Sequence, residues 1–133
     1  MSKAMGEATE PWISKIGQIA INAKDIDRAT AFYRDTLGLK FLFPAPKMAF
    51  FELGELMLML SLPETDEYDH ASSVLYFQVD DIEAAHLALA SKGVEFRDTP
   101  HLIYSAPTHD LWMTFFRDSE GNTLALQSHK PRR

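Results

Sequence analysis

Residues 18–33 open on an alternation in which Ile19, Ile21 and Ala23 point one way and Gln18, Ala20 and Asn22 the other. A strand with one buried and one mixed face has this two-residue period. Asp25 follows as an N-cap, its carboxylate placed to accept from the free amides of an opening helical turn. Ile26, Ala29, Phe32 and Tyr33 then recur at helical spacing, and Gly38 suits a left-handed C-cap. The pattern returns 56 positions later, with Leu75 for Ile19, Phe77 for Ile21, Val79 for Ala23, Asp81 for Asp25, Ile82 for Ile26 and Ala85 for Ala29. A repeat of this length implies a duplicated module.

Each copy continues into strands. Leu39–Phe43 is expected as a strand interrupted by Pro44 and Pro46, followed by strands at Met48–Leu53 and Leu56–Leu62 about a turn at Gly54-Glu55. In the second copy, Gly93 ends the helix and Val94–Arg97 is a short strand. Asp98–Asp110 reads as a long loop suited to binding groups, and Leu111–Arg117 and Asn122–Gln127 form a hairpin through Asp118-Ser119-Glu120-Gly121. The expected fold is α+β: two β-α-β-β-β modules with helices outside and curved sheets around a cavity. Its boundaries are an N-terminal arm at 1–14, one domain at 15–129 (modules 15–62 and 72–129, linker 63–71) and a tail at 130–133. The acidic linker reads as a surface connection, and the closing basic residues as a frayed, solvated end. Trp12 in the arm is suited to packing on the domain or on a neighbouring subunit.

With 133 residues, 46% of them hydrophobic, the chain fits one domain with a real interior. It has no cysteine, which removes disulfides, thiolate metal sites and cysteine nucleophiles. A formal charge of −6 weighs against nucleic acid as partner. Ser2-Lys3-Ala4 begins no signal peptide, and no run suits a bilayer, so no membrane partner and a cytoplasmic location are expected.

The duplicated order, the run Asp-Ile-x-x-Ala-x-x-Phe-Tyr-x-Asp-x-Leu-Gly-Leu from Asp25 to Leu39, and the turn Asp118-Ser119-Glu120-Gly121-Asn122 resemble the vicinal oxygen chelate superfamily. That group includes glyoxalase I, extradiol dioxygenases and the bleomycin resistance proteins. The resemblance is specific for fold and not for chemistry, since members catalyse unrelated reactions. In metal-dependent members each module supplies one ligand from its first strand and one from its last. The corresponding positions are Gln18 and Val74, then Ala125 and about Leu58, with Met57 or Met59 as the shifted alternatives. Only Gln18 carries an ordinary oxygen ligand, so the resemblance implies that the usual metal site is dismantled and no cofactor is bound.

The expected function is therefore metal-independent binding of a small apolar or aromatic molecule between the sheets, as in the bleomycin-resistance type. Gln18, Asn22, Tyr76, Gln78 and Gln127 offer polar groups from strand positions, Tyr104 and His109 reach in from the long loop, and Met57, Met59, Trp112 and Met113 supply walls. Gln18 is open to three readings: a leftover ligand, a substrate-binding amide, or a structural polar residue. His109 is either a general base or binding group, or a loop histidine bonded to a neighbour. The alternative function is an enzyme with His109 as base or with metal ligands moved elsewhere. Unpaired sheet edges and apolar surface suggest a homodimer.

Overall fold

The computed structural model describes residues 12–13, 15–63 and 69–131. Its first module runs β1 (Gln18–Asn22), α1 (Ile26–Ala31), a π-helical turn (Phe32–Thr36), β2 (Lys40–Ala45), β3 (Met48–Leu53) and β4 (Leu56–Ser61). The second runs β5 (Leu75–Gln78), α2 (Ile82–Ser91), β6 (His101–Ser105), β7 (His109–Arg117) and β8 (Thr123–Pro131). Each forms a four-stranded sheet, in orders β1-β4-β3-β2 and β5-β8-β7-β6, with the first pair of each parallel and the others antiparallel. The α+β duplication is thus present, each helix packing on the inner strands of its own sheet. Among the described residues no helix is long and apolar enough to cross a membrane.

The local signals act as expected. Asp25 accepts the Arg28 amide and Asp81 the Ala84 amide, both at 3.0 Å, and each cap contributes about 1 kcal/mol to its helix. Gly38 and Gly93 take φ of 79° and 94°, conformations open to glycine, where the chain leaves each helix. Ile19 and Ile21, Phe51, Leu58 and Leu60 of module one join Ile82, Phe116, Leu124 and Leu126 of module two in a single core. Burying each side chain of this size contributes roughly 1.5–3 kcal/mol.

Four expectations change. The segment Asp98–Asp110 is not a long loop: Pro100 and Pro107 bracket an edge strand, β6, rather than breaking it, and a bulge between Leu102 and Tyr104 adjusts its register on β7. The strand expected at Val94–Arg97 contracts to one bridge, Phe96 to Phe116. β2 runs through Pro44, which an outer strand tolerates. The tail is not frayed at Lys130: β8 extends to Pro131, and the Lys130 ammonium lies 2.6 Å from Glu83 and 4.1 Å from the centre of the Trp112 ring. Residues 132–133, most of the N-terminal arm and linker residues 64–68 lie outside the described residues. Trp12, the arm's described aromatic, is 97% exposed and does not pack on the chain's own body.

Candidate functional site

Two regions carry the polar and aromatic groups: the junction between modules and the sheet faces turned away from the helices. At the junction, the β7–β8 turn inserts into module one. Both Glu120 carboxylate oxygens are engaged, accepting from the amides of Lys24 (2.7 Å) and Asp25 (2.9 Å), from Arg28 through Nε (2.8 Å) and Nη2 (3.0 Å), and from the Ser119 hydroxyl (2.8 Å). Burial by itself would raise the Glu120 pKa, but the Arg28 guanidinium and these donors outweigh it and hold the group at about 2. Asp118 accepts the Tyr33 hydroxyl at 2.6 Å, the amides of Glu120 and Asn122 at 2.8 Å, and the Asn122 side chain at 2.9 Å. Tyr33 is fully buried, and burial together with the Asp118 charge pushes its pKa far above the usual phenol value, so it stays a donor. The turn that carried the family resemblance is therefore a clasp.

Asn22, expected among the ligand-binding groups, belongs to this junction. Its Nδ2 donates to the His70 carbonyl at 2.8 Å, its amide to the Ser72 hydroxyl at 3.0 Å, and its carbonyl accepts from Asn122 at 2.8 Å. A cavity of about 820 Å³ opens beside it, bordered by Lys24, Pro63, Ser72 and Asn122. A second, apolar groove of about 390 Å³ separates Leu37, Leu39 and Leu53 from Phe77, Ala85 and Leu89. The modules thus meet within one chain through their helix-side surfaces and turns.

The opposite faces are built by register. In sheet one, Gln18 stands beside Met57 and Glu52, and Ala20 beside Met59, Phe50 and Phe43. The Gln18 amide donates to the Met59 sulfur at 3.7 Å, and the Phe43 and Phe50 rings stack at 4.7 Å. In sheet two, Tyr76, Ala125 and Phe115 form one cross-strand row, and Gln78, Gln127, Met113 and His101 the next. Gln127 donates to Gln78 at 3.1 Å, so these amides answer each other. Both faces remain open: Phe43 is 46% and Tyr76 48% exposed.

Register also settles the shifted position. Ala20 pairs with Met59 as its repeat counterpart Tyr76 pairs with Ala125, so Met59 is the equivalent of Ala125. The four positions are Gln18, Met59, Val74 and Ala125. Ala125 is fully buried, flanked in its row by the Tyr76 and Phe115 rings, which meet edge to face at 6.0 Å. One amide, one thioether and two alkyl groups do not fit a divalent ion. Among the described residues no group of three or more His, Asp or Glu side chains could hold one elsewhere.

Two sequence expectations are separated from this set. Trp112 cannot share a wall with Met113, because neighbours on a strand face opposite ways; it packs against the core on the helix side. His109 begins β7 opposite Pro131, bonded to the Thr108 hydroxyl at 2.9 Å, and six residues from Phe115, which is roughly 20 Å along an extended strand. Tyr104 lies between, opposite Leu111, on the same face as Met113 and 63% exposed. Phe43, Phe50 and Phe115 were missing from the expected walls, although counting by twos from Met59 and Met113 to their strand partners places them there. Arg117 follows by the same count from Phe115.

Residues 15–126 match the Glyoxalase/Bleomycin resistance protein/Dioxygenase superfamily. The chain belongs to this superfamily. A glyoxylase-like domain-containing protein of Didymella fabae is 32% identical over 120 residues, covering 84% of this chain and 91% of that protein. Among solved structures, the superfamily fold is shared with a lactoylglutathione lyase from Agrobacterium tumefaciens at TM-score 0.70 and 23% identity, over 89% of this chain and 96% of that one. TnmS3, an antibiotic binding protein from Streptomyces sp. CB03234, superposes at TM-score 0.73 and 22% identity, over 92% of this chain and all of that one. Superfamily members of such different activities share these modules, so the chemistry has to be read from the faces themselves.

Proposed function

We propose that this chain is a metal-independent binding protein for a small apolar or aromatic molecule, held against the open sheet faces. The observation that carries the reading is the replacement of the superfamily's ligand positions by Gln18, Met59, Val74 and Ala125, with Ala125 buried beside the Tyr76 and Phe115 rings. Thioethers and flat rings around a small polar set give an adaptable apolar surface that fixes orientation through a few hydrogen bonds. Gln18, Gln78 and Gln127 supply those bonds, and Met57, Met59, Tyr76 and Met113 the contact area. That TnmS3, with the same fold, binds an antibiotic fits this use of the modules.

The reading includes a homodimer. Within one chain the contacts between modules come from the clasp and the helix-side groove, while each open face makes contacts within itself. A second copy that sets its second sheet over the first sheet of its partner encloses a ligand between Phe50 and Tyr76 and covers apolar surface on both. An enzymatic reading through His109 has no such support, given the distance along β7 from the Tyr76 row.

Protein purified without chelator is analysed for metal, titrated by thermal shift with zinc, nickel, manganese and iron, and screened against aromatic compounds. The expected outcome is substoichiometric metal, no metal-induced shift, stabilisation by a subset of aromatics recovered chemically unchanged, and a dimer mass by light scattering. One tightly held ion per subunit, or conversion of the bound compound, overturns the reading.

A further inference from the structure

The open face of sheet two carries two arginines whose side chains make no ion pair or hydrogen bond among the described residues. The bridge between Phe96 and Phe116 sets Arg97 opposite Phe115 and Arg117 opposite Glu95, and the Arg97 amide donates to the Phe115 carbonyl at 2.8 Å. Residues directly opposite in an antiparallel pair share a face. Arg97 and Arg117 therefore stand on the side that holds Phe115 and Tyr76, as diagonal neighbours about 7–8 Å apart at Cβ, a spacing two long side chains span easily. Both are exposed.

Nearby carboxylates leave these cations unanswered. Asp118 is occupied by Tyr33, Glu120 and Asn122, and Asp98 accepts from the Thr114 hydroxyl at 2.7 Å and the Phe115 amide at 2.9 Å. Glu95 lies across from Arg117, yet among the described residues neither arginine side chain makes an ion pair or hydrogen bond. In a chain of formal charge −6, two adjacent unpaired guanidiniums beside an aromatic row form a receptor for an anion, and the planar fork of arginine matches a carboxylate.

We propose that the ligand is an aromatic or apolar carboxylic acid whose ring lies on the Tyr76–Phe115 row and whose carboxylate is received by Arg97 and Arg117. This rests on the binding function above and adds the ligand's charge. The row geometry supports it, because Arg97 is the strand neighbour of Phe115, about 5 Å away across the sheet.

The test titrates the full chain with 2-naphthoate and with its neutral isostere 2-naphthamide, following intrinsic fluorescence. The expected result is naphthoate binding about tenfold more tightly, with a preference that weakens as salt is added. The Arg97→Gln/Arg117→Gln double variant loses the preference and keeps its naphthamide affinity. An Arg97→Lys/Arg117→Lys variant keeps the charge and part of the preference, which separates loss of charge from loss of fold. Equal affinities for the two compounds, or a preference that survives the double glutamine variant, overturn the proposal while leaving an apolar pocket in place. Failure of both compounds to bind overturns the pocket itself, and the proposal with it.

Discussion

Glu120 and Tyr76 sit on the same module and show two ways of treating a polar side chain. Both Glu120 oxygens are taken up by protein donors and the side chain is almost wholly buried; about half of Tyr76 is open and its ring meets the Phe115 ring edge to face. The junction is satisfied and specified, so its residues hold one arrangement of two modules. The faces are under-occupied, so their residues are available to something outside the chain. The two regions therefore differ in how far protein donors and acceptors take up their polar side chains.

Substitutions at the junction have the largest expected effect. Glu120→Ala leaves a half-exposed guanidinium and two part-buried backbone amides without their acceptor, and Asp118→Ala strands the buried Tyr33 hydroxyl; each is expected to cost about 3–5 kcal/mol in urea unfolding. A loss below 1 kcal/mol at both positions would mean that the clasp does not hold the modules together. The same carboxylate makes stability depend on acid. Its folded pKa of about 2 lies below the ordinary 4.5, so its contribution is complete above pH 4.5 and fades as pH falls towards 2. The full window corresponds to about 3 kcal/mol. Glu120→Gln should flatten the stability profile between pH 4.5 and 2 relative to the wild type, measured by urea unfolding at each pH.

Much of this architecture was legible in the sequence, because local chemistry decided it. Asp25, Asp81, Gly38 and Gly93 cap their helices, and the 56-residue offset translates directly into paired registers. The face composition was half legible. Alternation identifies Met113, and by the same rule excludes Trp112, but Arg97 cannot be placed without knowing that Phe96 bridges to Phe116. Asn22 had the expected parity, but its described partners come from 48 to 100 residues away, which no local pattern reveals. Edge strands were hardest: β6 draws its pairing from β7 through a bulge, and five exposed residues between two prolines give little internal pattern.

At the open faces the expected order of effects reverses, with ligand affinity changing more than stability. Tyr76→Ala removes a half-exposed ring whose burial by ligand supplies contact area, and should weaken an aromatic ligand roughly tenfold while lowering stability by only about 1 kcal/mol. Isothermal titration and urea unfolding of one preparation measure both. A stability loss of several kcal/mol with unchanged affinity would place Tyr76 with the structural set.

The smallest expected effect lies at Trp112, on the core side of β7. Its neighbour Met113 is on the open face, yet the indole packs on the core side and is covered by Lys130, which also reaches Glu83. The ion pair is partly solvated, so it adds little, and the ammonium over the ring is worth about 0.5–1 kcal/mol. Lys130→Ala should therefore lower stability by no more than about 1 kcal/mol and leave aromatic ligand affinity unchanged. If Lys130→Ala instead weakened the ligand as much as Tyr76→Ala does, the indole edge would belong to the binding surface. The boundary between the two regions would then run through β7 itself rather than between its two faces.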